Sequence, residues 1–154
     1  MKITAMQTLN VSLVIRSRKI SLDEMTKRLG SPEKDISFEK GRKVRIPSKG
    51  EVTLEFAFWV IESKLPETAP LDRHLKEIIK QTGGKAKLAK KLFGNNVRIS
   101  LKIGVFYDFS KSANAYCHIN IKAIQALLPF VDVIEMSAYP CTTNNKGFNS
   151  IDNI

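Results

Sequence analysis

Seven cations, Lys80, Lys85, Lys87, Lys90, Lys91, Arg98 and Lys102, follow one another with no Asp or Glu among them. An unopposed basic run can line a phosphate backbone, with an affinity that falls steeply as salt rises. It can equally be a solvated helix face followed by two outward strand residues. Lys85, Lys87, Lys90, Lys91, Arg98 and Lys102 are therefore the candidate partner-binding residues. Trp59, the single tryptophan, joins them because an aromatic on a wet sheet face can stack on a ligand. Tyr107 and Tyr139 could do the same, but "KIGVFYDF" lacks the aromatic spacing of RNA-recognition sheets.

Signatures of catalysis are scarce. His74 and His118 stand outside any Cys, Asp or Glu grouping with metal-ligand spacing, so each reads as a structural or surface residue. "TGGKAK" holds a Gly-Lys step without phosphate-loop spacing, and a helix end followed by a turn explains both glycines. Asp23 and Glu24 fall in the first turn of a helix, where the macrodipole accounts for them. Glu67, Asp72 and Glu77 surround a helix start, with nothing to oppose them across a pocket. The sequence reads as a non-enzyme, with no cofactor, no metal and no indicated small-molecule ligand.

The residues that would carry binding must be held by a fold, and 154 residues are enough for one domain with a sizeable core. Composition is that of a globular protein, 43% hydrophobic and 26% charged. A net charge of +10 makes nucleic acid, anionic membrane or an acidic protein conceivable partners without choosing among them. No apolar stretch reaches the roughly 18 residues that span a bilayer, and the polar-interrupted start does not read as a signal peptide. Cys117 and Cys141 form no metal or redox spacing and read as reduced thiols, so the expected location is the cytoplasm.

Alternation places Leu9, Val11, Leu13 and Ile15 on one face of a first strand over 9–16. "ISLDEMTKRLGSP" predicts a helix capped by Ser21, with Glu24 closing a capping box and Gly30 as its left-handed exit. "DISFEKGRKVRIPSKGE" reads as an edge strand or irregular hairpin turning at Gly41 and Gly50. A long strand is expected over Glu51 to Ser63, with Val52, Leu54, Phe56, Phe58 and Val60 on one face and Ala57, Trp59 and Ile61 on the other.

Helix periodicity over 71–82 puts Leu71, Leu75, Ile78 and Ile79 inward. A short basic helix, "KAKLAKKLF", follows with Leu88 and Leu92 one turn apart. Strands are expected over 97–105, 116–119 and 133–139, with a helix capped by Asn120 and stopped by Pro129 before the last. Residues 1–140 thus form one α+β domain, and 141–154 form a loose polar tail. The expected architecture is a two-layer sandwich, a mostly antiparallel sheet with helices on one face. Its first six elements follow the order of a ferredoxin-like βαββαβ core, to which a βαβ extension is added.

Leu29-Gly30, Lys40-Gly41, a Trp-x-x-x-Ser strand end at Trp59 and Ser63, the His74-Leu75 pair and a closing strand ending in Tyr139 resemble the bacterial domain-of-unknown-function family 4279 over about residues 8–140. The chain departs from that pattern in "GRKVRIP", where a tryptophan often follows the Lys-Gly step, and in its high positive charge. The resemblance implies no established activity, although some members of the family look like immunity proteins of bacterial toxin systems. It also draws Trp59 toward a packing role, with Arg98 or Lys102 as cations that could stack on its ring. The expected function is non-catalytic binding of a macromolecule, foremost a protein in an immunity or neutralising role. The alternative is nucleic-acid binding through the Lys80–Lys102 region. A nuclease inhibitor should be acidic, so in an immunity role this chain's toxin should carry an acidic surface or act on something other than nucleic acid.

Overall fold

The computed structural model describes residues 7–108 and 118–141. Strand β1 (Gln7–Ser17) is central, because its alternate residues Leu9, Val11, Leu13 and Ile15 are all buried on one face. Helix α1 (Leu22–Leu29) begins where the Ser21 side chain accepts the Glu24 N–H, and ends at Gly30 with φ +93°, a conformation that an L side chain resists. A hairpin follows, β2 (Lys43–Ile46) and β3 (Gly50–Thr53), and then β4 (Ala57–Glu62). Helices α2 (Leu71–Thr82) and α3 (Lys85–Phe93) lead through a 3-10 turn to β5 (Arg98–Asp108). The short α4 (Ile121–Ile124) precedes β6 (Val133–Cys141).

The main sheet has strand order β4-β1-β5-β6. β1 pairs antiparallel with β4 and β5, and β5 pairs parallel with β6 through a crossover that contains α4. All four helices contribute to one core with the same sheet face, through Met25 and Leu29, Leu75 and Ile78, Ala89 and Phe93, and Ile124. This is the expected α+β class with its helices in one layer.

Strand pairing departs from a ferredoxin-like unit, which would place all four strands of its βαββαβ core in one sheet. Here β2 and β3 pair only with each other and lie on the opposite face. They close a second apolar cluster of Val14, Phe38, Val44, Ile46, Leu54, Phe58 and Val60. The strand expected over Glu51 to Ser63 is consequently two strands in two sheets. Leu54 is kept with the hairpin, since its N–H donates to Arg42 O and its carbonyl accepts from Gly41, and the chain bends at Glu55 and Phe56 before β4 begins. Its alternation nevertheless survives the break, since Leu54, Phe58 and Val60 still face one cluster while Ala57, Trp59 and Ile61 face the other.

Two further differences have local causes. The helix expected from Asn120 to Pro129 keeps its Asn120 cap but runs only to Ile124, after which successive turns carry the chain to β6. After Ile124 three-residue turns, such as Leu127 N–H to Ile124 O and Phe130 N–H to Leu127 O, replace the helical ladder, and Pro129 bars its resumption by offering no N–H and disfavouring a helical Leu128. The strand expected over 116–119 falls partly outside the described residues, and His118 and Ile119 lie in no strand. Cys117 and the tail beyond Cys141 also lie outside the described residues. No helix among the described residues is long and apolar enough to cross a membrane.

Candidate functional site

The basic run is divided by the fold. On α3, Ala86, Ala89 and Phe93 face the core, whereas Leu88 and Leu92, one turn apart, do not. They remain 38% and 43% exposed, beside the exposed Lys87 and Lys91. Alanines let α3 lie close to its neighbours while Phe93 fills the space at its end, and this turns the leucine pair outward.

The other candidates have intramolecular roles. Lys85 lies with its ammonium 5.5 Å from the Trp59 ring centroid, and the ring itself is fully buried. Trp59 Nε1 donates to Gly30 O at 2.9 Å, which fixes the end of α1 against β4. The cation on the ring is thus Lys85 from the helix layer. Arg98 and Lys102 cannot take that place, because alternation sends them to the other face of β5. Full burial also removes Trp59 from the residues a partner can touch.

Lys90 donates to both carboxylate oxygens of Asp132 at 2.7 Å, and Asp132 also accepts the Ile99 N–H at 2.7 Å. Burial pushes the Asp132 pKa up, but the bond from Lys90, the Ile99 N–H and the charges of Lys90 and Arg98 hold it below its ordinary value. Lys102 stands across the sheet from α3, 3.6 Å from Glu135 on the neighbouring strand. Burial lowers the Lys102 pKa, against the opposing pull of Glu135. The run that is acid-free in sequence therefore meets carboxylates brought in by β6 and the turn before it. Both strand cations also lie near another basic group, Arg16 of β1, which is the register partner of Arg98 and lowers the Lys102 pKa by its charge.

Of the residues that carry the sequence resemblance, two pairs meet each other and two more residues contact neighbouring elements. Gly30 accepts from Trp59, Ser63 Oγ lies 2.8 Å from His74 Nδ1, and Tyr139 stacks on Phe106 with ring centroids 5.1 Å apart. Gly41 donates to Leu54 O at the point where the chain passes between sheets. Burial lowers the His74 pKa, against the carbonyls of Pro66 and Ala69. None of these pairs opens a reactive group to a pocket; each ties one element to another.

No curated protein and no solved structure matches this chain. The model of a domain of unknown function, DUF4279, matches residues 7–130, which takes in the sheet through β5, all four helices and the hairpin. The chain belongs to the DUF4279 family.

Proposed function

We propose that the protein is a non-catalytic binding protein whose partner is a protein with an acidic surface. One observation carries this reading: α3 presents Leu88 and Leu92 to solvent beside the exposed cations Lys87 and Lys91. Apolar anchors flanked by charge suit a protein interface, in which buried aliphatic contact supplies affinity and rim charge supplies orientation and on-rate. A net charge of +10 favours encounter with an acidic surface. A neutralising role, in which this face covers a toxin, is the sharpest form of the proposal.

Nucleic-acid binding along the whole Lys80–Lys102 run would require its cations to share one groove. Lys102 lies across the sheet from Lys87 and Lys91, and Lys90 is engaged by Asp132. A protein partner is accordingly the stronger reading.

The test compares wild type with a Leu88→Asp, Leu92→Asp double variant in affinity capture from the native host, followed by titration of the purified pair. Circular dichroism should match wild type and Tm should fall only modestly, because both leucines are partly exposed and a carboxylate at position 92 opposes the helix dipole, while binding should weaken by roughly a hundredfold if both act as anchors. Equal binding by both proteins would refute this face as the interface. Steeply salt-dependent binding of mixed oligonucleotides with no protein captured would favour the nucleic-acid reading instead.

A further inference from the structure

Where β1 ends and β5 begins, the antiparallel register sets Arg16 directly opposite Arg98. Like charges opposed across a strand pair are destabilising, so such a pair calls for an anion between them. No carboxylate among the described residues forms an ion pair with either arginine. Asp132 lies near enough for Arg98 to affect its titration, but its oxygens are taken by Lys90 and the Ile99 N–H. Arg16 Nε is shut away from solvent with no acceptor among the described residues.

The two arginines, together with Arg18, Lys19, Phe56 and Asn96, line a cleft of about 260 Å³. Its walls are held before any ligand arrives. Ser17 Oγ donates to Asn96 O at 2.6 Å and accepts the N–H groups of Lys19 and Ile20, joining the end of β1 to the turn before β5. The guanidinium carbons of Arg16 and Arg18 lie 5.0 and 4.7 Å from the Phe56 ring centroid, which restricts both side chains. Arg18 is partly neutralised by Glu55 at 2.7 Å.

Four cations against this one carboxylate leave a local surplus near three positive charges. A single carboxylate ligand would leave most of that surplus uncompensated, whereas a phosphoryl group brings a charge of about −1.5 to −2 and three strong acceptors. Guanidinium forks bind such an oxyanion bidentately. The cleft is smaller than the roughly 300–1,000 Å³ of ordinary small-molecule pockets, so it suits a phosphoryl group with little attached.

We propose that the Arg16–Arg98 cleft is an oxyanion site for the phosphoryl group of a small soluble phosphate. This goes beyond the protein-partner reading and uses different residues, so each can fail without the other.

The experiment measures Tm and calorimetric binding with inorganic phosphate and pyrophosphate, against sodium chloride of equal ionic strength. The proteins are wild type, Arg16→Gln, Arg98→Gln and the surface control Lys87→Gln. Wild type and Lys87→Gln should show a saturable rise in Tm, and affinity in both arginine variants should fall roughly tenfold or more. Without phosphate, Arg98→Gln should melt at or above the wild-type temperature, because the like-charge pair is relieved.

A shift shared by all four proteins would be the general effect of an excluded salt and would overturn the site. So would the absence of any saturable shift in wild type. An Arg98→Gln protein that melts well below wild type in phosphate-free buffer would make the pair structural and also overturn it. Displacement of pyrophosphate by oligonucleotides, with affinity rising with their length, would give the cleft to a nucleic-acid backbone and overturn the small-phosphate assignment.

Discussion

Two side chains, Trp59 and His74, each join the helix layer to the sheet through one polar atom. Trp59→Phe deletes the Nε1 bond to Gly30 O and leaves part of a fully buried indole's space empty, so it should cost roughly 2–3 kcal/mol in urea unfolding. The wild-type indole should be protected from quencher, and its emission should stay unchanged when a partner binds α3. His74 links stability to pH. Its native pKa is lowered from 6.5 by burial, against the raising influence of the Pro66 and Ala69 carbonyls. Below pH 6.5 the unfolded chain therefore takes up a proton that the native protein refuses. Stability should fall as pH drops below that point, and level off once pH passes the native value. His74→Gln should flatten that slope in unfolding curves collected across the window. Alternation in the sequence places Trp59 on a face, and helical period places His74 beside Leu75. Neither pattern names Gly30 or Ser63 as the partner, because those contacts join residues from different elements.

Among the elements, α3 is the one whose orientation was hardest to read. "KAKLAKKLF" offers a leucine pair and an Ala86-Ala89-Phe93 stripe at equally helical spacing, and leucine is the more hydrophobic choice. Close approach to the layer beneath favours the alanines, and only the neighbouring elements make that approach necessary. Asp132 helps to hold the result, its carboxylate accepting from both Lys90 of α3 and the Ile99 N–H of β5. Asp132→Ala should cost about 1 kcal/mol once solvent screening of the partly exposed pair is allowed for. In wild type the native carboxyl pKa is held below 3.8, so this contribution is present above that value. It is lost as pH falls through the native pKa, and acid unfolding curves of the two proteins should converge there. The α1 boundaries, by contrast, were legible in advance, since Ser21 and Gly30 are local signals that act on their own turns.

Taken whole, the molecule has one large core under the helices and a smaller one under the β2–β3 hairpin. The hairpin is a two-stranded ribbon, marginal alone and held by that apolar contact. Its amides should exchange with solvent well before those of β1 and β5, which lie inside the main sheet. Phe58→Ala empties the smaller core where β4 meets the hairpin and should cost roughly 3 kcal/mol. In hydrogen exchange it should release β2 and β3 while β1 and β5 stay protected. Equal loss of protection in both sheets would mean that the two cores unfold as one unit.

What the sequence determined by itself was local in origin: element types, most of their limits, the inward face of β1 and α2, and the α+β class. Period, caps and turn residues act over a few residues, so they can be read from a few residues. Which strands pair was decided only by tertiary structure, because splitting 51–63 between two sheets depends on Arg42 and Gly41 reaching Leu54 across the hairpin. Charge followed the same division. A run without acids was visible in the chain, but its pairing with Asp132 and Glu135 was not, and neither was the placing of Arg16 against Arg98. Coulomb interactions follow distance in space rather than separation in sequence, and the register of β1, β5 and β6 sets those distances.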